Sequence, residues 1–469
     1  MMILVTGASG IVGRPLVRTL LKRGHRVVAL CRHPEENGSD RNLRWLSGDV
    51  GKPCLGLTRK QWQELSQEID AIFHLAARTD FRGRELADYE SVNIRGVENI
   101  KALARAAGAW LHHVSTAFVC GIWDGEFRED FLSEEQSFRN CYEESKYLGE
   151  CVLRREPLPG FSVYRPAIIL ERRPTTLSPA VFGPLVFLDA VFRLCLAANK
   201  RDGSLETIRV AGNPAAHLPF VFDDEVAQSL ADLAEKEQVS GETYNLVPAL
   251  PLGNNSLQDV FNQAFSREAV RWVDDDDFLR QAPSTAERIL AKKTRMYAPY
   301  LNLQTSFSRE NLEKRLGKAV LTAIGEDELL ASFSFFLSSK QEPGRQAAPV
   351  DSAGLENYFS IFLRQHIGKA LIRNLASLSV CFHIRINGYG AWTIRVEKGI
   401  LTTVSSGACG NFGYSTDAGT FLQIASAKMS PQKGFFKGAV QLLENPREAL
   451  RTATALEEFF YEYPYQPAP

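Results

Sequence analysis

Apolar and polar positions alternate regularly along the first 170 residues of the chain. Short apolar runs are separated by segments in which apolar residues recur at helical spacing. After the first run, for example, Val12, Leu16 and Leu20 fall on one face of a helix. This alternation predicts an α/β fold with a doubly wound parallel (Rossmann) sheet, whose strands lie at 3–6, 26–31, 43–47, 71–74, 110–115 and 161–165.

The pattern of apolar and polar positions also divides the rest of the chain. Residues 171–330 are less regular, and we interpret them as the smaller substrate part of one domain, 1–337, whose cofactor part ends near residue 170. The polar stretch 338–354, which contains proline and glycine, predicts a linker. In 355–469 a helical segment precedes strand patterns such as 390–407, which predicts a separate α+β domain with its own core.

Composition narrows the class of protein. With 45% hydrophobic residues, 23% charged residues and a formal net charge of −1, the chain is typical of a globular protein and gives no electrostatic reason to expect a nucleic-acid partner. Its eight cysteines are scattered singly, so we predict no metal site and no disulfide framework. No apolar run reaches membrane-spanning length. We therefore expect a cytoplasmic protein, and leave open a homodimer and a peripheral contact with a membrane.

A glycine-rich turn follows the first predicted strand. In "TGASGIVG", Gly7, Gly10 and Gly13 stand between that strand and a helix, where backbone N–H groups can approach a pyrophosphate at the helix N-terminus. Any βα turn can carry two glycines by chance. The next strand, at the spacing of a βαβ unit, favours a dinucleotide site.

Two residues bear on which dinucleotide is bound. Arg32 follows the second strand directly, where an arginine accommodates a 2′-phosphate, so NADP(H) is favoured over NAD(H). Asp49 ends the third strand and is predicted either to accept a hydrogen bond from the adenine amine or simply to cap a loop.

The candidate chemistry lies in "HVSTAFVCG" and "CYEESKYLGE". Tyr142 and Lys146 are one helical turn apart and project from the same face. A neighbouring ammonium lowers the pKa of a phenol, which favours proton transfer near neutral pH. Thr116 ends the fifth strand, at the sheet edge where ligands bind, and its hydroxyl can donate to a carbonyl oxygen. The three side chains together suit hydride-transfer chemistry.

These motifs resemble those of the extended short-chain dehydrogenases/reductases, and "HLAA", "VNIRGVENI" and "YRPAII" fit the same pattern in order. The resemblance implies that Thr116, Tyr142 and Lys146 are catalytic, with Tyr142 as the acid/base, and that Asn93 supports a proton relay through the lysine. The cofactor-binding residues are then predicted to be Gly7, Ser9, Gly10, Ile11, Gly13, Arg32, Asp49, Val50, Leu75, Ala76, Ala77, Tyr142, Lys146, Arg165 and Pro166.

Within that superfamily the chain is most similar to the fatty acyl-CoA and thioester reductases, followed by the 3β-hydroxysteroid dehydrogenase/decarboxylase branch. The resemblance implies an NADP-dependent oxidoreductase for a hydrophobic lipid, with reduction of a fatty acyl thioester or aldehyde favoured. Redox chemistry at a sterol 3-position is the alternative. A non-catalytic NADPH-binding lipid carrier is a third reading, which the presence of all three catalytic side chains disfavours.

The C-terminal residues 355–469 resemble a sterol-carrier-protein-2-type domain, through "GAWTIRVEKGI" and the segment that starts at "FLQIASAKMSPQKGFF". The resemblance implies a lipid-binding tunnel, which would raise the local concentration of an acyl or sterol substrate. A purely structural domain is the alternative. The residues that are candidates to line such a tunnel are Phe421, Ile424, Met429, Phe435 and Phe436.

Overall fold

The computed structural model divides into two compact units, Met1–Leu337 and Ser338–Pro469. It describes residues 1–34, 40–81, 83–130, 132, 136–155, 157–172, 183–199, 206–236, 239–341, 352–369, 379–386, 389–436 and 439–466. The predicted linker, 338–354, lies largely outside these described residues.

The first unit is built from short strands and amphipathic helices. Its strands are β1 (Met2–Thr6), β2 (Arg26–Cys31), β3 (Leu43–Ser47), β4 (Ala71–His74), β5 (Trp110–Val114), β6 (Gly125–Phe127), β7 (Phe161–Pro166), β8 (Ile168–Leu170), β9 (Ile208–Ala211), β10 (His217–Leu218), β11 (Phe220–Phe222), β12 (Glu242–Leu246), β13 (Leu252–Gly253), β14 (Val270–Val273) and β15 (Thr305–Phe307). Its helices are α1 (Gly13–Lys22), α2 (Arg59–Glu68), α3 (Ala87–Tyr89), α4 (Arg95–Ala107), α5 (Cys141–Arg154), α6 (Pro184–Asn199), α7 (Asp223–Ala234), α8 (Asn254–Ala264), α9 (Asp275–Arg280), α10 (Thr285–Thr294), α11 (Glu310–Leu316) and α12 (Glu326–Gln341).

Seven of these strands form one parallel sheet in the order β12-β7-β5-β4-β1-β2-β3. Apart from β3, a half-exposed edge strand, its strands are buried almost throughout because helices cover both faces, with one apolar cluster under α1 and α7 and another under α2 and α4. The predicted doubly wound parallel sheet is therefore confirmed, and each predicted strand agrees with an observed one to within a residue. The seventh strand, β12, was not predicted because it belongs to the region whose pattern is irregular.

The carboxyl edge of this sheet is covered by a smaller lobe. Short parallel pairs, β8 with β11 and β9 with β14, frame a third apolar cluster formed mainly by α6, α8 and α12. This lobe carries much of the apolar surface that faces the candidate site described below.

The second unit contains a five-stranded sheet of its own. Its strands are β16 (Val380–Ile386), β17 (Gly390–Glu397), β18 (Ile400–Ser406), β19 (Phe412–Thr416) and β20 (Val440–Leu443), in the order β18-β17-β16-β19-β20, with β16 and β19 parallel and the other neighbours antiparallel. The helices are α13 (Ser352–Asn357), α14 (Ala418–Ala425), α15 (Pro431–Phe436) and α16 (Pro446–Glu462).

One face of that sheet packs against an aromatic core. The rings of Phe359 and Trp392 stack with centroids 4.0 Å apart, and Tyr358 meets Phe421 edge to face at 5.0 Å. The alternating run "VCFHIRI" (380–386) predicts β16 and the pattern 390–407 predicts β17 and β18, whereas β19 was not predicted from the sequence. The second unit is therefore an α+β body with its own apolar core.

Candidate active site

The glycine turn after β1 is shaped by contacts that leave no room for side chains. Gly7 has φ +67°, and a Cβ atom there would lie 2.8 Å from the backbone nitrogen of Ala76. A Cβ atom at Gly13 would lie 2.1 Å from the carbonyl oxygen of Gly7. Glycine is therefore required at both positions.

The helix that follows this turn begins without a side-chain cap and has no acidic residue in its first turn. The positive end of the helix dipole is therefore not compensated by a side chain of this helix, and it favours an anion there. The turn and helix fit the pyrophosphate of a dinucleotide. Ser9 and Ile11, both half-buried, lie within the same turn.

The predicted adenosine-side residues lie along the neighbouring strand ends. Arg32 is exposed directly after β2. Asp49 Oδ1 accepts a hydrogen bond from the Gly51 N–H at 3.0 Å, so this carboxylate does cap a loop. Val50 is buried beside α4.

After β4, Leu75, Ala76 and Ala77 are half-buried. The Ala76 N–H donates to Thr6 Oγ1 at 3.2 Å, which ties this segment to the end of β1. The predicted cofactor residues of β1, β2, β3 and β4 therefore share one edge of the sheet.

Tyr142, Thr116 and Lys146 are brought together at the same edge. Tyr142 and Lys146 lie in α5, one turn apart, and Thr116 begins the 3₁₀ turn Ala117–Cys120 after β5. The hydroxyl of Thr116 hydrogen-bonds with the phenol of Tyr142. Lys146 Nζ donates to the Val114 carbonyl at 2.8 Å. The buried ammonium thus points at the end of β5.

Burial sets the protonation states of Tyr142 and Lys146. Burial raises the pKa of Tyr142 far above its ordinary value, although the Thr116 hydrogen bond lowers it. The sequence argument that Lys146 lowers the pKa of this phenol is therefore not what the structure gives. Burial also lowers the pKa of Lys146 to about 8, with Glu150 acting in the opposite direction. Near neutral pH the site holds a protonated phenol beside a lysine close to its titration point.

Asn93 lies in a π-helical turn, Glu90–Ile94, that precedes α4. Its Nδ2 donates to Ser145 Oγ at 2.8 Å and to the Arg78 carbonyl at 3.0 Å. Ser145 Oγ in turn donates to the Tyr142 carbonyl at 2.8 Å. Asn93 is therefore linked to the helix turn of Tyr142 through Ser145, and its predicted relay through Lys146 stays a prediction.

Arg165 is fully buried in β7 and makes a bidentate ion pair with Glu150 of α5, at 3.0 and 2.8 Å. The guanidinium is thus held within the sheet–helix interface. Any contribution of Arg165 and Pro166 to cofactor binding is expected from their backbone.

A cavity of about 190 Å³ opens beside the Tyr142 and Thr116 hydroxyls. The polar residues of its lining are Thr79, Thr116, Tyr142, Trp272, Tyr297 and Tyr300, and none of the lining side chains that the structure describes carries a charge. The apolar lining is formed by Ile11, Phe81, Phe118, Ala167, Ile168, Ile169, Pro184, Phe187, Leu218, Phe220, Leu257, Phe261 and Leu301.

The sequence analysis missed most of this lining. Phe81 and Phe118 lie near motif residues, but Leu257, Trp272 and Tyr300 come from the irregular region. One signal for this region was visible in the sequence, the apolar segment 178–198, most of which lies in α6. Its residues 178–182 lie outside the described part of the chain.

Neither a metal cluster nor a membrane span accompanies this site in the described residues. No three potential metal ligands of the His, Cys, Asp and Glu types lie together there. No helix among the same residues is long and apolar enough to cross a membrane.

The fold and the site define the first unit as an NAD(P)-binding unit of the Rossmann type. Residues 5–228 match the NAD-binding family described as male sterility protein. This match covers just under half of the chain and supports the predicted resemblance of the first unit to NAD(P)-dependent enzymes of the extended short-chain dehydrogenase/reductase type.

Individual relatives resemble part of the chain. The hybrid PKS-NRPS synthetase pvhA of Talaromyces variabilis is 27% identical over 52% of this chain and 6% of its own length. A 3-beta-hydroxysteroid dehydrogenase of Mycolicibacterium neoaurum is 31% identical over 32% of this chain and 41% of its own length. The chain thus spans less than half the length of these curated relatives.

Among solved structures, the terminal R domain from the myxalamid PKS-NRPS biosynthetic pathway is similar in fold. It aligns with a TM-score of 0.59 and 24% identity, over 72% of this chain and 90% of that domain. At this identity the likeness concerns the fold alone.

Proposed function

We propose that the first unit uses NADPH to reduce the carbonyl group of a hydrophobic substrate, a fatty acyl thioester or aldehyde. The observation that carries this proposal is the uncharged, largely apolar cavity that meets the Tyr142 and Thr116 hydroxyls. A hydrocarbon chain is stabilised by burial there at about 0.8 kcal/mol per methylene group. A sugar nucleotide, the substrate type of many extended superfamily members, would leave its phosphates without a charged partner in this lining.

The roles of the site residues follow from their protonation. NADPH, when bound, supplies the hydride. The Tyr142 phenol retains its proton at neutral pH and donates it to the carbonyl oxygen, while the Thr116 hydroxyl orients that oxygen. For an aldehyde the product is an alcohol. For a thioester the product is a hemithioacetal, which releases the thiol and leaves an aldehyde.

The lysine contributes charge. Lys146 is predicted to hold the nicotinamide ribose through its ammonium group, which in the structure donates to the Val114 carbonyl. Asn93 supports the turn that carries Tyr142 through its bond to Ser145.

The choice of NADPH over NADH rests on Arg32. Its side chain is exposed beside the glycine turn and makes no ion pair within the described part of the chain, so it is free to pair with a 2′-phosphate.

For the second unit we propose lipid binding, on the strength of its resemblance to the sterol-carrier-protein-2 type. Phe421 and Ile424 lie in its buried core and Met429 packs against that core, while the side chains of Phe435 and Phe436 lie outside the described set. A lipid would therefore enter by displacing part of this core. Cytoplasmic location, a homodimer and a membrane contact stay predictions.

The test of the enzymatic proposal is turnover by the purified full chain. We expect NADPH oxidation with dodecanal or dodecanoyl-CoA, and little with a 3-keto steroid. Tyr142→Phe should lower kcat by at least about 10²-fold while NADPH affinity is retained. Tyr147→Phe, which changes a tyrosine of the same helix outside the cavity lining, is the control.

Each of the other outcomes would support a different function. Activity on the steroid alone would select the sterol alternative. NADPH binding without turnover of any substrate would select the non-catalytic carrier.

A further inference from the structure

Tyr300 joins the smaller lobe to the turn of α5 that carries Tyr142. It lies in the 3₁₀ turn Ala298–Asn302, and its ring lines the cavity. The ring meets Phe118 edge to face at 5.0 Å and stacks on Phe81 at 6.0 Å. Only 6% of Tyr300 is exposed. A ligand that fills the cavity therefore presses on this ring.

The hydroxyl of Tyr300 belongs to a closed set of hydrogen bonds. It donates to Glu143 Oε1 at 2.6 Å and accepts from Asn140 Nδ2 at 2.9 Å. Asn140 Oδ1 caps α5 by accepting from the Glu143 N–H at 3.0 Å. Tyr142 lies within the segment that these bonds close, between Asn140 and Glu143.

Glu143 anchors this set from within the protein. It is fully buried, and its other carboxylate oxygen accepts from the Arg139 N–H at 2.9 Å. A buried carboxylate is strongly directed by its donors, and without the Tyr300 hydroxyl Glu143 Oε1 would keep, among the described residues, only Arg139 Nη1, 3.5 Å away. A displacement of the Tyr300 hydroxyl is thus passed to the first turn of α5.

We propose that Tyr300 is a positioning residue that couples occupancy of the cavity to the placement of Tyr142 through Glu143 and Asn140. The proposal rests on the proposed reductase function, and it explains how a long apolar substrate would be turned over faster than a short one. A substrate that does not reach Tyr300 leaves the turn of Tyr142 unconstrained by the ligand.

The test compares Tyr300→Phe with the wild type on butanal and dodecanal, with NADPH. The substitution keeps the ring and removes only the hydroxyl. We expect kcat on dodecanal to fall by about tenfold or more, the size expected for loss of a hydrogen bond to a charged group. KM for dodecanal should stay within about twofold, and kcat on butanal should fall by less than kcat on dodecanal.

The matched control is Tyr244→Phe, because Tyr244 also donates to a carboxylate, Glu242 Oε2, at 2.6 Å in the same unit but outside the cavity lining. It should change neither substrate's kcat. An equal fall of kcat on butanal and dodecanal in Tyr300→Phe would show a merely structural role and overturn the proposal, as would no fall on either.

A second readout does not need turnover. Amide hydrogen exchange of residues 141–144 should slow when 1-dodecanol is added to the wild type, and not when it is added to Tyr300→Phe. Equal slowing in both proteins, or none in the wild type, would overturn the coupling. A wild type that reduces neither aldehyde would contradict the proposed function, and the exchange result would still decide the coupling.

Discussion

Replacing Glu150 by glutamine removes one charge from a pair that has no access to solvent. Glu150 and Arg165 are both fully buried, and two hydrogen bonds join them. After the substitution the guanidinium keeps a bond to the Arg128 carbonyl at 3.3 Å and the face of Phe127, with its centroid 5.2 Å away. Neither neutralises the charge of Arg165.

Removal of one partner from a buried ion pair costs about 3–5 kcal/mol. The first unit spans residues 1–337, and at about 2.1 cal/mol/K of unfolding entropy per residue this cost lowers Tm by about 4–7 °C. Unfolding of the full chain in urea can be followed by tryptophan fluorescence, since five of the six tryptophans lie in the first unit and only Trp392 in the second.

The matched control is Glu68→Gln, which breaks a 2.8 Å contact with Arg44 between side chains that are 41% and 50% exposed. Exposed pairs contribute about 1 kcal/mol at most. Equal losses of stability in the Glu150→Gln and Glu68→Gln variants would refute the reasoning from burial.

The pH dependence of the Glu150→Gln effect follows from the pKa of the carboxyl. Burial raises this pKa, but the charge and hydrogen bonds of Arg165 outweigh burial, so the pKa of Glu150 lies below its ordinary value. The contribution of the pair is therefore complete above the unfolded value of about 4.3 and is lost as the pH falls through the folded pKa. The difference between wild type and variant should be constant near pH 7 and shrink in acid.

Three further predictions concern the cofactor, the lysine and the second unit. In a fluorescence titration, Arg32→Ala should weaken NADPH binding by about tenfold and leave NADH binding unchanged. The control is Arg26→Ala, at the far end of β2, and equal affinities of the wild type for both cofactors would contradict the prediction. Because the pKa of Lys146 is about 8, kcat/KM should decline above about pH 8 as the ammonium loses its proton. A decline only near the ordinary lysine pKa of about 10.4 would show that burial does not lower the pKa of Lys146. A fragment of residues 1–341 should reduce butanal like the full chain and have a lower kcat/KM on dilute dodecanal, whereas a fragment of residues 352–469 should bind a fluorescent fatty acid with a Kd of about 1 μM. Unchanged turnover of dodecanal, together with no fatty-acid binding, would show that the second unit has only a structural role.

Local rules of secondary structure were enough to locate several features from the sequence. The alternation of apolar runs and helical spacing located six of the seven strands of the parallel sheet, because burial on both faces demands continuous apolar strands. Gly7 and Gly13 were identifiable because the contacts of a tight βα turn forbid a side chain. Tyr142 and Lys146 were predicted on one face because four residues make about one helical turn.

The tertiary structure alone decided what surrounds these residues. Tyr300 meets Asn140 across 160 residues of chain, and no local pattern marks either residue for that contact. The sign of the pKa shift of Tyr142 depends on desolvation by the lobe above it, a property of the packed surroundings. Only the structure shows that Arg165, a predicted cofactor residue, pairs with Glu150, because a charge buried in a central strand must find its partner within the packed interface.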